Sequence, residues 1–225
     1  MTVASESRRI GPAAGARRSS AARTGLVLAA LLLVAGGASL WFSVTARRAS
    51  DEPLPVLSTV PDFSLIEASG RPITRQDLAG NPWVADLVFT HCAAICPMMT
   101  AEMSRLVQQS DDVPEVKFVS ISVDPERDTP EVLTAYAERH GADRSRWLFL
   151  TGDETEIRRL ALEGLRLPVA DGNVAAGEDP ILHSQRFVLV DAESRVRGTY
   201  DVRDPEAMLK LRGDLRRVRD EQRAR

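Results

Sequence analysis

Hydrophobic positions along the chain change their spacing repeatedly, and each change marks an element. From Pro61, the stretch DFSLIEA, a Ser69-Gly70 pair and RPIT predict a short hairpin, Gly70 supplying the positive φ of a tight turn. Trp83 to Thr90 (WVADLVFT) reads as a strand that runs into His91-Cys92. Pro97 then stands where a helix can begin, and Met98, Met99, Met103, Leu106 and Val107 recur at helical spacing as far as Gln109. Val116 to Val123 (VKFVSISV) has the β-branched, continuous character of a buried parallel strand. Thr129-Pro130-Glu131 opens the next helix as N-cap, first helical residue and dipole partner, and His140-Gly141 closes it. A strand over Trp147 to Leu150 and a helix over Asp153 to Leu162 follow. Residues 163–181 read as a long Gly- and Pro-punctuated loop. Arg186–Val190 and Arg195–Tyr200 flank a turn, and a helix from Pro205 to about Arg217 leaves 218–225 as a charged C-terminal tail. Strands alternating with helices predict an α/β domain over 61–217: a central mixed sheet flanked by helices, with an N-terminal hairpin.

One apolar run fits none of this. Residues 24–46 form a stretch of 23 residues without a charge. At about 1.5 Å per helical residue this is enough to cross a hydrocarbon core of roughly 30 Å. A cleaved signal peptide is the alternative, but its apolar region is usually about 7–15 residues long. We therefore expect one uncleaved transmembrane helix, with Trp41 and Phe42 near its outer interface. Five Arg precede the span and only Arg47 and Arg48 follow closely, which places a cytoplasmic basic tail at 1–23. A linker over 47–60 then carries the domain on the extracytoplasmic, periplasmic side of the inner (plasma) membrane.

Charge supports this division. The first 50 residues, with seven Arg and only Glu6, contribute +6 to an overall charge of −3, so the remainder carries −9. An acidic domain lacks the basic face that nucleic-acid binding requires.

The two cysteines, Cys92 and Cys96, are separated by three residues at the junction of a strand and a helix. So short a loop makes a poor structural staple. A helix N-terminus favours the thiolate, the form that attacks disulfides and binds metal. The pair can close a disulfide or converge on a soft ion such as Cu(I), with an imidazole as third donor. Three histidines are available. His91 adjoins Cys92, His140 sits at a helix end, and His183 follows the long loop and precedes a strand, free to approach the sulfurs. The methionines spaced along one helix face read as core filler. Asp128 reads as a turn and cap residue, and Asp124 as a candidate for supporting the site from the strand end.

Three segments, FTHCAAICP (Phe89–Pro97), SVDPERDTP (Ser122–Pro130) and HSQRFVLVD (His183–Asp191), lie in this order behind the apolar run. Together they resemble the Sco/SenC family of membrane-anchored copper proteins from Pro61 to about Arg217. The resemblance implies a thioredoxin-like fold and copper, as Cu(I), Cu(II) or both, held by Cys92, Cys96 and His183. It further implies delivery of copper to the binuclear centre of cytochrome c oxidase. Its partners would be the subunit holding that centre, and other copper chaperones or thioredoxin-like reductants. The alternative is a thiol-disulfide reductase using Cys92 and Cys96 on a partner's copper-ligand cysteines. Many members carry an acidic residue between the cysteines, where this chain has Ala93-Ala94-Ile95.

Overall fold

The computed structural model describes residues 36, 37, 41, 53–92, 95–171 and 181–224. The chain divides into two units, 1–52 and 53–225. In the first, Gly36, Gly37 and Trp41 are helical. The rest of the expected membrane span lies outside the described residues, among which no helix is long and apolar enough to cross a membrane.

The second unit is built on an eight-stranded mixed sheet in the order β1-β10-β9-β4-β5-β6-β2-β3. These strands are β1 (Ser58–Thr59), β2 (Ser64–Glu67), β3 (Pro72–Thr74), β4 (Trp83–Val88), β5 (Lys117–Ser122), β6 (Trp147–Thr151), β9 (Arg186–Val190) and β10 (Arg195–Asp201). β4, β5 and β6 run parallel, and β9 lies antiparallel along the other edge of β4. The expected hairpin is β2 with β3, and Gly70 has φ +84°. The parallel strands need crossovers, which α2 (Cys96–Gln108) and α3 (Pro130–Arg139) provide. These two and the terminal α5 (Pro205–Arg223) cover one face of the sheet through Met99, Met103, Leu133, Tyr136, Leu211 and Leu215. The short α1 (Arg75–Leu78), α4 (Glu154–Arg159) and a π-helical turn (Leu160–Gly164) cover the other through Leu78, Ile157, Leu160 and Ala161. With both faces covered, every residue of β4 is buried, as its continuous apolar pattern requires.

The structure departs from the sequence expectations in three places. The compact unit begins at Pro53 rather than 61, because β1 pairs with β10 and Leu54 is buried within the segment read as linker. The loop expected over 163–181 contains the end of the π-helical turn, Glu163 and Gly164, and β7 (Val169–Asp171), which pairs with β8 (Ile181–His183) in a separate two-stranded sheet. Three-residue strands are too short to show an alternation. The segment expected as a charged tail from 218 continues α5 to Arg223, with Val218 buried.

Charge drives that last extension. Arg197 is almost wholly buried and donates to Asp191 at 2.9 Å, to Glu221 at 2.7 Å and to the Leu54 carbonyl at 2.6 Å. It thus ties β10, the end of β9, the last turns of α5 and the start of the domain together. Burial would push the Asp191 carboxyl up, but hydrogen bonds from Arg195 and Arg197 outweigh it and hold it below the usual carboxylate range. Removing one partner of such a pair strands a buried charge. Arg197→Met is therefore expected to destabilise the domain by about 3 kcal/mol, read as a lower urea midpoint. An unchanged midpoint would show the network to be dispensable.

Candidate metal and dithiol site

The site forms where β4 stops. Beyond Val88, the Phe89 carbonyl accepts the Cys92 N–H at 3.3 Å, bending the chain out of the sheet. α2 begins at Cys96, with Pro97 in its first turn, where a missing N–H costs nothing. No side-chain oxygen caps this helix; instead the Cys92 sulfur accepts the Cys96 N–H at 3.3 Å. Both cysteines are free thiols and both are buried.

His183 closes β8, opposite Val169 of β7. Its Nδ1 lies 3.1 Å from the carbonyl oxygen of Ser184. A carbonyl only accepts, so Nδ1 carries a proton and Nε2 is the ring nitrogen left to face the sulfur. That atom lies 3.2 Å from the Cys96 sulfur. The Phe89 ring meets the imidazole edge-on, with centroids 5.6 Å apart. The end of β4, the start of α2 and β8 therefore bring a thiol and a correctly oriented imidazole into contact. Two thiols and an imidazole form a donor set suited to a soft ion such as copper. Among the described residues, however, no three His, Cys, Asp or Glu side chains stand ready as a metal cage. The structure pairs Cys96 with His183, and Cys92 with the Cys96 backbone.

Protonation at Cys96 runs opposite to the expectation from its helix terminus. Burial pushes its thiol above the ordinary range. The Phe89 backbone opposes this only in part, and neighbouring Cys92 and then Asp86 add smaller upward pushes. A partial helix charge does not outweigh the loss of water around a nearly inaccessible sulfur. The resting form is the neutral thiol, which can donate to His183 Nε2.

Asp86, on β4, is a site-adjacent group that sequence reasoning passed over, although an acid inside WVADLVFT was visible there. It is fully buried and neither carboxyl oxygen has a hydrogen-bond partner among the described residues. Burial raises its pKa to about 7. The Ser120 hydroxyl, too poorly placed to count as a hydrogen bond, opposes this only in part.

The remaining candidates sort by their contacts. Asp128 is fully buried and accepts from the Thr90 N–H at 3.1 Å, the Thr90 hydroxyl at 2.6 Å and the Ser122 hydroxyl at 2.6 Å. It thereby locks the ends of β4 and β5 below the cysteine turn, a structural role. The Asp124 carboxylate pairs with Arg127 at 3.2 Å. His91 is exposed, its Nδ1 3.2 Å from the Thr90 hydroxyl and 4.0 Å from Asp128. His140 is the C-cap residue of α3. Met99 and Met103 are core, whereas Met98 is exposed.

Sheet order and site together define a thioredoxin-like α/β domain with a thiol–imidazole centre at the end of its central strand. The SCO1/SenC family model matches residues 52–215, and the chain belongs to that family. It is 33% identical to the SCO1 protein homolog of Bacillus subtilis, over 65% of this chain and 76% of that one. Bradyrhizobium japonicum ScoI, solved with copper bound, superimposes with a TM-score of 0.59 at 27% identity, covering 72% of this chain and 99% of that one. BsSco is described as having a disulfide switch and as a member of the Sco family of cytochrome c oxidase assembly proteins. It gives a TM-score of 0.63 at 30% identity, covering 74% of this chain and 98% of that one.

Asp86 gives the domain a specific pH dependence. With the folded pKa raised to about 7, the folded state keeps a proton that the unfolded state loses near its ordinary value. Its contribution is therefore most favourable below about pH 4 and worsens up to about pH 7, by roughly a few kcal/mol. Asp86→Asn removes this slope, so the variant should exceed the wild type in urea stability at about pH 8 by more than at about pH 5. Parallel pH profiles for the two proteins would contradict the assignment.

Proposed function

We propose that this protein is a copper carrier that serves assembly of the binuclear copper centre of cytochrome c oxidase, with Cys92, Cys96 and His183 as copper donors. The observation that supports this most directly is the 3.2 Å contact between the Cys96 sulfur and His183 Nε2, whose other ring nitrogen is held by the Ser184 carbonyl. An oriented imidazole lone pair beside a soft sulfur suits a cargo ion that must be held and then surrendered by ligand exchange. The copper-bound relative ScoI and the family's link to oxidase assembly support the cargo and the destination. The recipient is the subunit that holds the copper centre. The apolar run over 24–46 acts as a single-pass anchor, keeping the domain on the extracytoplasmic side, where the copper-centre subunit is met.

A thiol-disulfide reductase is the second reading, favoured by the disulfide switch described for BsSco and by two adjacent free thiols here. It fits less well, because the burial that keeps Cys96 protonated slows its attack on a disulfide.

Reduced protein should take up one Cu(I) per chain in competition with a chelator. Cys92→Ser and Cys96→Ser should each weaken that affinity by at least about 100-fold, and His183→Ala by about 10-fold or more. Cu(II) spectra should show an imidazole nitrogen that His183→Ala removes. Wild-type affinity in all three variants would eliminate the carrier reading. Fast, copper-independent reduction of a partner peptide disulfide would favour the reductase.

A further inference from the structure

A groove of about 360 Å³ runs between α2 and the first turns of α5. Glu102, Arg105 and Gln109 line it from the α2 side, and Met208, Leu209 and Arg212 from the α5 side. The two helices are fastened at one end only. Asp112, beyond the end of α2, accepts from Arg216 at 2.7 and 3.0 Å, and its carbonyl oxygen accepts from Arg219 at 2.9 Å. On the other side of Gln109, no hydrogen bond among the described residues joins α2 to α5, and there the cleft stays open. A single exposed leucine on a helix is ordinary. Leu209, however, is 60% exposed and stands with half-buried Met208 at the wall of a cleft, an apolar surface that the domain's own packing leaves uncovered.

Charge at the rim is unbalanced. Glu102 is matched by Arg105 of the same helix. The Arg212 guanidinium meets only the neutral side-chain amide of Gln109 among the described residues, whereas Arg216, Arg217, Arg219 and Arg223 of α5 each pair with a carboxylate. The groove therefore offers a guanidinium without a counter-charge beside an apolar seat. Its α2 rim leads to the cysteines. Met98, Glu102, Arg105 and Gln109 follow one another at three- and four-residue spacing and form one stripe, headed by Met98, which is exposed two residues after Cys96. At about 1.5 Å per helical residue, Arg105 lies roughly 14 Å along the helix from Cys96. A standard interface covers about 800 Å² on each partner, wide enough to include both. We propose that this groove docks the protein that receives the ion, through an amphipathic segment that seats one large apolar side chain against Leu209 and Met208 and sets a carboxylate on Arg212. This rests on the copper-carrier function. Docking here holds the recipient beside the cysteine turn and leaves Cys92, Cys96 and His183 free for ligand exchange.

The probe is the copper-free extracytoplasmic domain of the oxidase subunit that holds the copper centre, from the same organism. Its affinity for the reduced full chain in detergent micelles, metal-free and Cu(I)-loaded, is measured by calorimetry. The chain's own Cu(I) affinity is measured separately by chelator competition. Arg212→Glu and Leu209→Ser should each weaken docking by about 10-fold or more. Arg212→Lys keeps the charge and should cost less than Arg212→Glu, which should also flatten the salt dependence of docking. All three variants should retain the wild-type Cu(I) affinity and urea midpoint, since neither side chain belongs to the copper site. Wild-type docking in either Arg212→Glu or Leu209→Ser would overturn the proposal, as would the absence of docking by both forms of the wild type. A dimer of the chain, seen by sedimentation and lost in both variants while recipient binding persists, would overturn it too, by assigning the groove to a second copy. Docking that the variants weaken, in a chain that takes up no Cu(I), would instead overturn the carrier function and leave the docking surface standing.

Discussion

The enclosure of β4 governs most of what this domain can do. Neighbouring strands occupy both of its edges and helices cover both of its faces, so no side chain on it reaches water. The polypeptide leaves the sheet beyond Val88 through a turn in which the Phe89 carbonyl accepts the Cys92 N–H and the Cys92 sulfur accepts the Cys96 N–H. Chemistry placed at this point inherits a low-dielectric surrounding on its inner side. The Cys96 thiol stays neutral for that reason, despite its place at a helix start. A soft ion that replaces its proton restores charge balance where a bare thiolate would be costly.

Fixed polar groups hold this arrangement from below and from the side. Asp128 takes three hydrogen bonds from Thr90 and Ser122, so the ends of β4 and β5 cannot slide relative to the cysteine turn. His183 approaches from β8, its ring set by the Ser184 carbonyl on one nitrogen and the Cys96 sulfur on the other. The Arg197 cluster works at a distance, closing the start of the domain against α5 and β10. Each of these is a buried or half-buried polar group whose partners are met, which confers geometric definition as well as stability. Asp86 stands apart because its oxygens have no hydrogen-bond partners among the described residues.

Local rules account for much of the fold. Gly70 in the hairpin turn and the caps at Thr129 and Asp153 lie where side-chain chemistry alone places them, and the strands over 83–88, 117–122 and 147–151 follow their apolar runs. Short or long-range features escaped. β7 and β8 are three residues each and gain their pairing only from each other. β1 pairs with a strand more than a hundred residues away, and the last turns of α5 are held by Arg197, so a polar pattern there reads as tail until its partner is known.

The sequence by itself determined that two close cysteines would sit where a buried strand gives way to a helix, because hydrophobic period and Pro97 are local signals. Through the resemblance of three ordered segments, it also marked out His183. Only the tertiary structure decided that His183 meets Cys96 across 87 positions of sequence, with Cys92 turned onto the Cys96 backbone. It also decided the charge state. The helix terminus visible in sequence favours a thiolate, but the burial created by distant strands and helices is the stronger effect and keeps Cys96 neutral.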